Sequence, residues 1–114
     1  FIDMPPGTGD AYLTVAKDLK PDSAILVTTE SPLAVQDTLK SKILFQKLNI
    51  PILGYINNMV SSSSSGGGTE GDITNILGLD LLGSIPMDDD VANFNLIGSA
   101  KLFESTYNNL KIII

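Results

Sequence analysis

The chain has 114 residues, of which 43% are hydrophobic and 18% charged, a balance that supports one packed domain and argues against disorder. Its formal charge is −6 and its seven Lys/Arg are scattered along the chain, which excludes a basic stripe for a nucleic-acid backbone. Cysteine and histidine are absent, so disulfides, thiolate nucleophiles, imidazole bases and soft-metal sites are excluded, and only oxygen-liking ions such as Mg²⁺ remain.

In chain order, residues 1–2 form a short apolar run that reads as a strand entering its terminal loop. A helix is predicted over 10–19, after Gly-Thr-Gly and before Pro21. Residues 24–27 form a second apolar run. The segment 31–48 opens Ser-Pro, with Pro32 at the first helical position, and carries Val35, Leu39, Ile43, Leu44 and Leu48 at helical spacing. Further apolar runs at 52–56 and 81–85 are bounded by turn residues, as strands buried on both faces are. A short helix is expected over 73–79 and a last one over about 99–110, where Leu102, Phe103, Thr106, Tyr107 and Leu110 share a face.

Strands alternating with helices through short connections predict an α/β fold with a mostly parallel sheet. The segment 61–68, five serines followed by three glycines, has no side chains for a core and reads as a flexible loop. It follows the 52–56 strand on the carboxyl side of the sheet, where open α/β folds bind ligands. No run approaches the roughly 18 apolar residues of a membrane span, and no basic-then-apolar leader opens the chain. A soluble, cytoplasmic protein is the expectation.

The densest chemical signal is Phe1-Ile2-Asp3-Met4-Pro5-Pro6-Gly7-Thr8-Gly9-Asp10. Asp3 at a strand's carboxyl end is suited to a magnesium-bound water, the prolines fix the loop, and Gly7 lets a backbone N–H approach a phosphate. The same residues also describe an ordinary strand-to-helix turn with Thr8 or Asp10 as N-cap. Asp88-Asp89-Asp90 invites a metal reading, but successive carboxylates diverge, and a solvated helix start accounts for them.

The segment DMPPGTGD resembles the DxPPG(T)GD segment of the Mrp/NBP iron-sulfur carrier branch of the MinD/ParA superfamily of P-loop ATPases. Residues 24–34 resemble that branch's strand and VTTPQ segment, residues 52–59 its VLGVVENM strand, and residues 82–88 its LLGEIPLD turn. Four ordered matches over nearly the whole chain are far more specific than any one alone. The resemblance implies a three-layer P-loop NTPase-like fold, here a single domain over 1–114, with the N-terminal part of the fold missing. It also implies that Asp3 is the magnesium-side carboxylate and that Gly7 is the backbone donor sensing the γ-phosphate. Asn58 becomes the adenine contact, and Pro86 and Asp88 the other wall of the base pocket. The implied cofactors are ATP and Mg²⁺, and the implied partners are a second copy, as a homodimer, and iron-sulfur client proteins.

Two departures accompany the matches. The family's lysine-bearing Walker A loop, of the form KGGxGKS/T, is absent from the chain, and Lys40, Lys42 and Lys47 sit on a predicted helix without its glycines. Where iron-sulfur members place C-x-x-C, this chain has serines and glycines, which are poor cluster ligands, so the cluster function does not carry over on these residues. The expected activity is that of a slowly hydrolysing ATP switch whose isolated chain is inactive. The competing expectations are a ParA/MinD-like positioning or membrane-cycling ATPase, with 110–114 as a tethering tail, and a non-catalytic interaction module.

Overall fold

Three of the expected strands, β1 (Ala24–Thr28), β2 (Ile52–Val60) and β3 (Leu81–Pro86), form one parallel sheet in the order β1-β2-β3. The computed structural model describes residues 1–4, 9–61, 70–89, 104 and 106–110. The central strand β2 runs four residues past its apolar stretch, because a neighbour on each side takes up its backbone groups. The expected strand at Phe1-Ile2 does not form: both residues are exposed and outside the sheet. A strand is held by the backbone bonds of a neighbour, and none of the three strands pairs with this segment.

Helices connect the strands. Helix α2 (Pro32–Lys47) begins at Pro32, as predicted, and ends at the left-handed Asn49. Its buried line is Val35, Thr38 and Phe45, flanked by Leu39, Leu44 and Leu48, whereas Ile43 is exposed. Spacings of three and seven from Val35 place Lys42 on that line and Ile43 about 100° away from it. Lys42 therefore reaches across to donate to the Leu77 carbonyl, at the end of α3 (Glu70–Leu77). Helix α3 starts three residues earlier than expected, and its carboxylates Glu70 and Asp72 favour the positive end of the helix dipole.

The expected helix over 10–19 is five α-helical residues, α1 (Asp10–Thr14), followed by a π turn over Val15–Leu19. Tyr12 is the buried residue of α1 and none is buried in the π turn, so no packed face enforces regular α periodicity there. Gly9, not Thr8 or Asp10, is the N-cap, and Asp10 lies in the first turn. Thr8 lies outside the described residues.

The core occupies one face of the sheet. Tyr12, Leu26, Val35, Phe45, Ile50, Tyr55, Ile73 and Leu77 form it, with the Tyr12 and Phe45 rings 5.4 Å apart and tilted. Tyr55 is fully buried, and its hydroxyl is satisfied by Thr74 Oγ1 at 2.8 Å and the Glu70 carbonyl at 3.2 Å. Consecutive strand residues face opposite sides. Ser84 donates to the Glu70 carboxylate on the α3 side, so the neighbouring Gly83 faces away, and a side chain there would collide with Thr106. Glu104 and residues 106–110 are helical, and Asn109 Nδ2 donates to the Leu82 carbonyl at 2.7 Å. Helices on one face, the sheet, and helical residues on the other make a three-layer α/β architecture.

The shared face expected for the last helix holds only in part: Thr106 is buried and Leu110 half-buried, but Tyr107 is exposed, and Leu102 and Phe103 lie outside the described residues. Val27 is 58% exposed, so β1 is not covered on both faces as its apolar run predicted. Val27 lies on β1, an edge strand among the described residues, whereas the described C-terminal helical residues pack at β3.

At Gly54 the backbone runs close to the start of β3. Its φ is 155°, and an added Cβ would lie 2.5 Å from the Asp80 carbonyl and 2.7 Å from the Leu82 side chain. Gly54→Ala is expected to lower the unfolding free energy by about 2 to 3 kcal/mol through overpacking. Denaturant unfolding should show a lower midpoint with an unchanged slope; an unchanged midpoint would mean that the start of β3 yields freely.

Candidate functional site

Because the strands are parallel, their carboxyl ends meet at one rim. Thr28 to Glu30 leave β1, Asn57 to Ser61 leave β2, and Ser84 to Asp88 leave β3. This is the rim where open α/β sheets take ligands. Register places Thr28, Asn57 and Ser84 in one row across the sheet, on the face of α3, and pairs Asn58 with Ile85. Val60 then pairs with Pro86, and its carbonyl accepts from the Met87 N–H at 2.9 Å. On the opposite side, the Ser61 N–H donates to Glu30 Oε2 at 3.2 Å, tying the end of β2 to the end of β1.

The structure brings three of the sequence-derived site residues together. Asn58, half-buried, Pro86, exposed, and Asp88, half-buried, lie at the adjoining ends of β2 and β3. An Asn amide offers a donor and an acceptor side by side, which matches the paired donor and acceptor on the edge of a heterocyclic base. Asp3 is exposed on the unpaired segment 1–4, where Met4 packs against the core. Gly7 lies outside the described residues, as do Asp90 and most of the Ser/Gly segment.

As for Mg²⁺, Asp3 supplies one hard oxygen donor, and no group of three acidic side chains able to hold a metal forms among the described residues. A single carboxylate suits an ion that keeps its waters and completes its shell with phosphate oxygens. The donor chemistry therefore fits to that extent. Thiolates, by contrast, are missing from the whole chain.

Two features of the rim escaped the sequence reading. Asn57 is 0% exposed, and neither its Nδ2 nor its Oδ1 has a hydrogen-bond partner. Met59 has φ 55° inside a strand and is 54% exposed. Period-2 alternation from Tyr55 could have placed Asn57 on the buried face. The Met59 conformation carries no sequence signal, since glycine is the residue expected there.

Comparison with known proteins fits this architecture. The model of the ParA family described as NUBPL iron-transfer P-loop NTPase matches residues 1–111. The chain belongs to this family. An iron-sulfur cluster carrier protein of Aquifex aeolicus is 39% identical over 100 residues, covering 80% of this chain and 28% of that protein. The mouse iron-sulfur cluster transfer protein NUBPL is 31% identical over 111 residues, covering 90% of this chain and 35% of that protein. The chain thus spans about a third of the length of these relatives.

Among solved structures, the Pyrococcus furiosus cell division ATPase MinD superposes with a TM-score of 0.79 at 22% identity, over 98% of this chain and 51% of that one, a likeness of fold. The septum site-determining protein MinD of Pyrococcus horikoshii, complexed with Mg-ADP, gives 0.69 at 26% identity, over 88% and 41%. The Mrp/NBP resemblance and the P-loop NTPase-like fold read from the sequence both hold.

An unpartnered buried amide costs stability, and Leu has nearly the same shape without the polar atoms. Asn57→Leu is expected to raise the unfolding free energy by about 1 to 2 kcal/mol. Chemical denaturation checks this; a fall instead would reveal a polar partner, such as an enclosed water, that the amide holds.

Proposed function

We propose that this chain supplies the base side and the magnesium side of an ATP site in an iron-transfer P-loop ATPase. The observation that carries the reading is the convergence of Asn58, Pro86 and Asp88 at the joint carboxyl end of β2 and β3, in a chain of the NUBPL-type family. In this reading the Asn58 amide pairs with the adenine edge, and Pro86 and Asp88 form the facing wall. Asp3 orients a water on the Mg²⁺ that accompanies the nucleotide, and the Gly7 N–H meets the γ-phosphate. Bound Mg²⁺ supplies charge neutralisation for the phosphates.

The lysine-bearing phosphate loop is not in these 114 residues. The phosphates draw most of their binding from that loop's backbone N–H groups and lysine charge. Tight binding therefore needs the loop as well as this rim. Slow hydrolysis then serves as a switch, in a homodimer, for the delivery of iron-sulfur clusters to client proteins. This chain contributes no cluster thiolates, so the cargo would be held by residues outside it.

The test is a titration with a fluorescent ATP analogue and Mg²⁺. The chain alone should bind weakly or not at all, and binding should appear when the Walker A half is supplied. In that context Asn58→Ala is expected to weaken affinity about tenfold, the equivalent of about 1.4 kcal/mol, and Asp3→Ala to remove the Mg²⁺ dependence. Equal affinity in both variants and the parent would refute the assignment. ATP-dependent binding to anionic vesicles would point to a positioning ATPase, and the absence of any Mg·ATP-dependent change to an interaction module.

A further inference from the structure

We propose that Met59 is a positioning residue for base recognition: its left-handed backbone makes the bulge that holds the Asn58 amide at the rim. This rests on the reading of Asn58 as the base contact.

Three non-glycine residues have positive φ among the described residues, namely Lys20, Asn49 and Met59. Lys20 and Asn49 follow the ends of helical segments, where the left-handed conformation is an ordinary cap. Met59 alone adopts it within a strand, and strain of that kind clusters at functional positions. Packing does not account for it, since the Met59 side chain is mostly exposed.

Register shows what the bulge does. Asn58 pairs with Ile85 and Val60 with Pro86, so two steps along β2 match one step along β3, and Met59 is the extra residue. Pro86 has no N–H to give to the ladder. With Met59 looped out, the Val60 carbonyl accepts from Met87 instead, at 2.9 Å, and the two strand ends stay joined past the proline. A bulge bends its strand and re-aims the neighbouring side chains. The residue aimed here is Asn58, whose partner strand leads straight into Pro86 and Asp88. Met59 and Met87, 54% and 71% exposed, stand at the same two strand ends.

The test is equilibrium competition between Mg·ATP and Mg·GTP on the longest native form of the protein, with far-UV circular dichroism to monitor the fold. Met59→Gly, which adopts positive φ freely, should keep the parent preference for ATP. Met59→Val, whose branched side chain resists positive φ, should lower that preference about tenfold, as the loss of one well-aligned hydrogen bond does. Should the valine variant fail to fold, the less apolar Met59→Thr carries the same arm. A preference lost in Asn58→Ala but kept in the β-branched variants, or lost in Met59→Gly with the fold intact, overturns the role of the Met59 backbone and leaves the Asn58 reading standing. A preference unchanged in Asn58→Ala overturns the base contact, and the Met59 assignment with it.

Discussion

Pairing of Ile52–Val60 with a parallel neighbour on each side is the constraint on which the rest of the structure depends. A central strand satisfies its backbone groups through both neighbours, and parallel pairing directs every carboxyl end to one rim. Tyr55 anchors that strand: it is fully buried in the core, and its hydroxyl is bonded to α3. The same strand then carries Asn57, Asn58 and Met59 to the rim in consecutive positions. Core and rim are thus successive stretches of one strand, so the packing that stabilises the sheet also fixes the geometry of the rim.

Much of this was legible in the sequence, for identifiable reasons. The apolar runs around Leu26, Tyr55 and Leu82, each bounded by turn residues, marked the three strands. Pro32 marked the start of α2. The failures came where pairing or packing decides. Phe1 and Ile2 have strand-like side chains but no neighbour to receive their hydrogen bonds. Ile43 follows a four-residue count, but the true buried line runs through Thr38 and Lys42, because Lys42 reaches α3. Family resemblance singles out Asn58, Pro86 and Asp88; the register pairs Asn58 with Ile85 and Val60 with Pro86, two residues before Asp88. Alternation from Tyr55 marks the burial of Asn57 but not its lack of a hydrogen-bond partner, and the backbone angle of Met59 leaves no trace in the sequence.

The rim is chemically one-sided. It offers amide, proline and carboxylate groups around β2 and β3, and the chain has neither a lysine in a glycine-rich loop nor a thiol. Such groups suit the proposed base contact better than they suit phosphates. On the other side of the sheet, β1 presents an unpaired edge among the described residues, with Val27 mostly uncovered. Unpaired strand edges favour association. The family relatives are about three times as long as this chain.

The most direct test of the account is a two-dimensional ¹H–¹⁵N spectrum of the longest native form of the protein, titrated with Mg·ADP. Saturable shifts at the Asn58 side-chain amide and the Met87 and Asp88 backbone, without matching shifts at Ile52, Leu53 and Asp80 on the opposite rim, are the predicted result. Saturation that leaves Asn58, Met87 and Asp88 unmoved, or that moves only the opposite rim, would contradict the assignment of the base site to the joint end of β2 and β3.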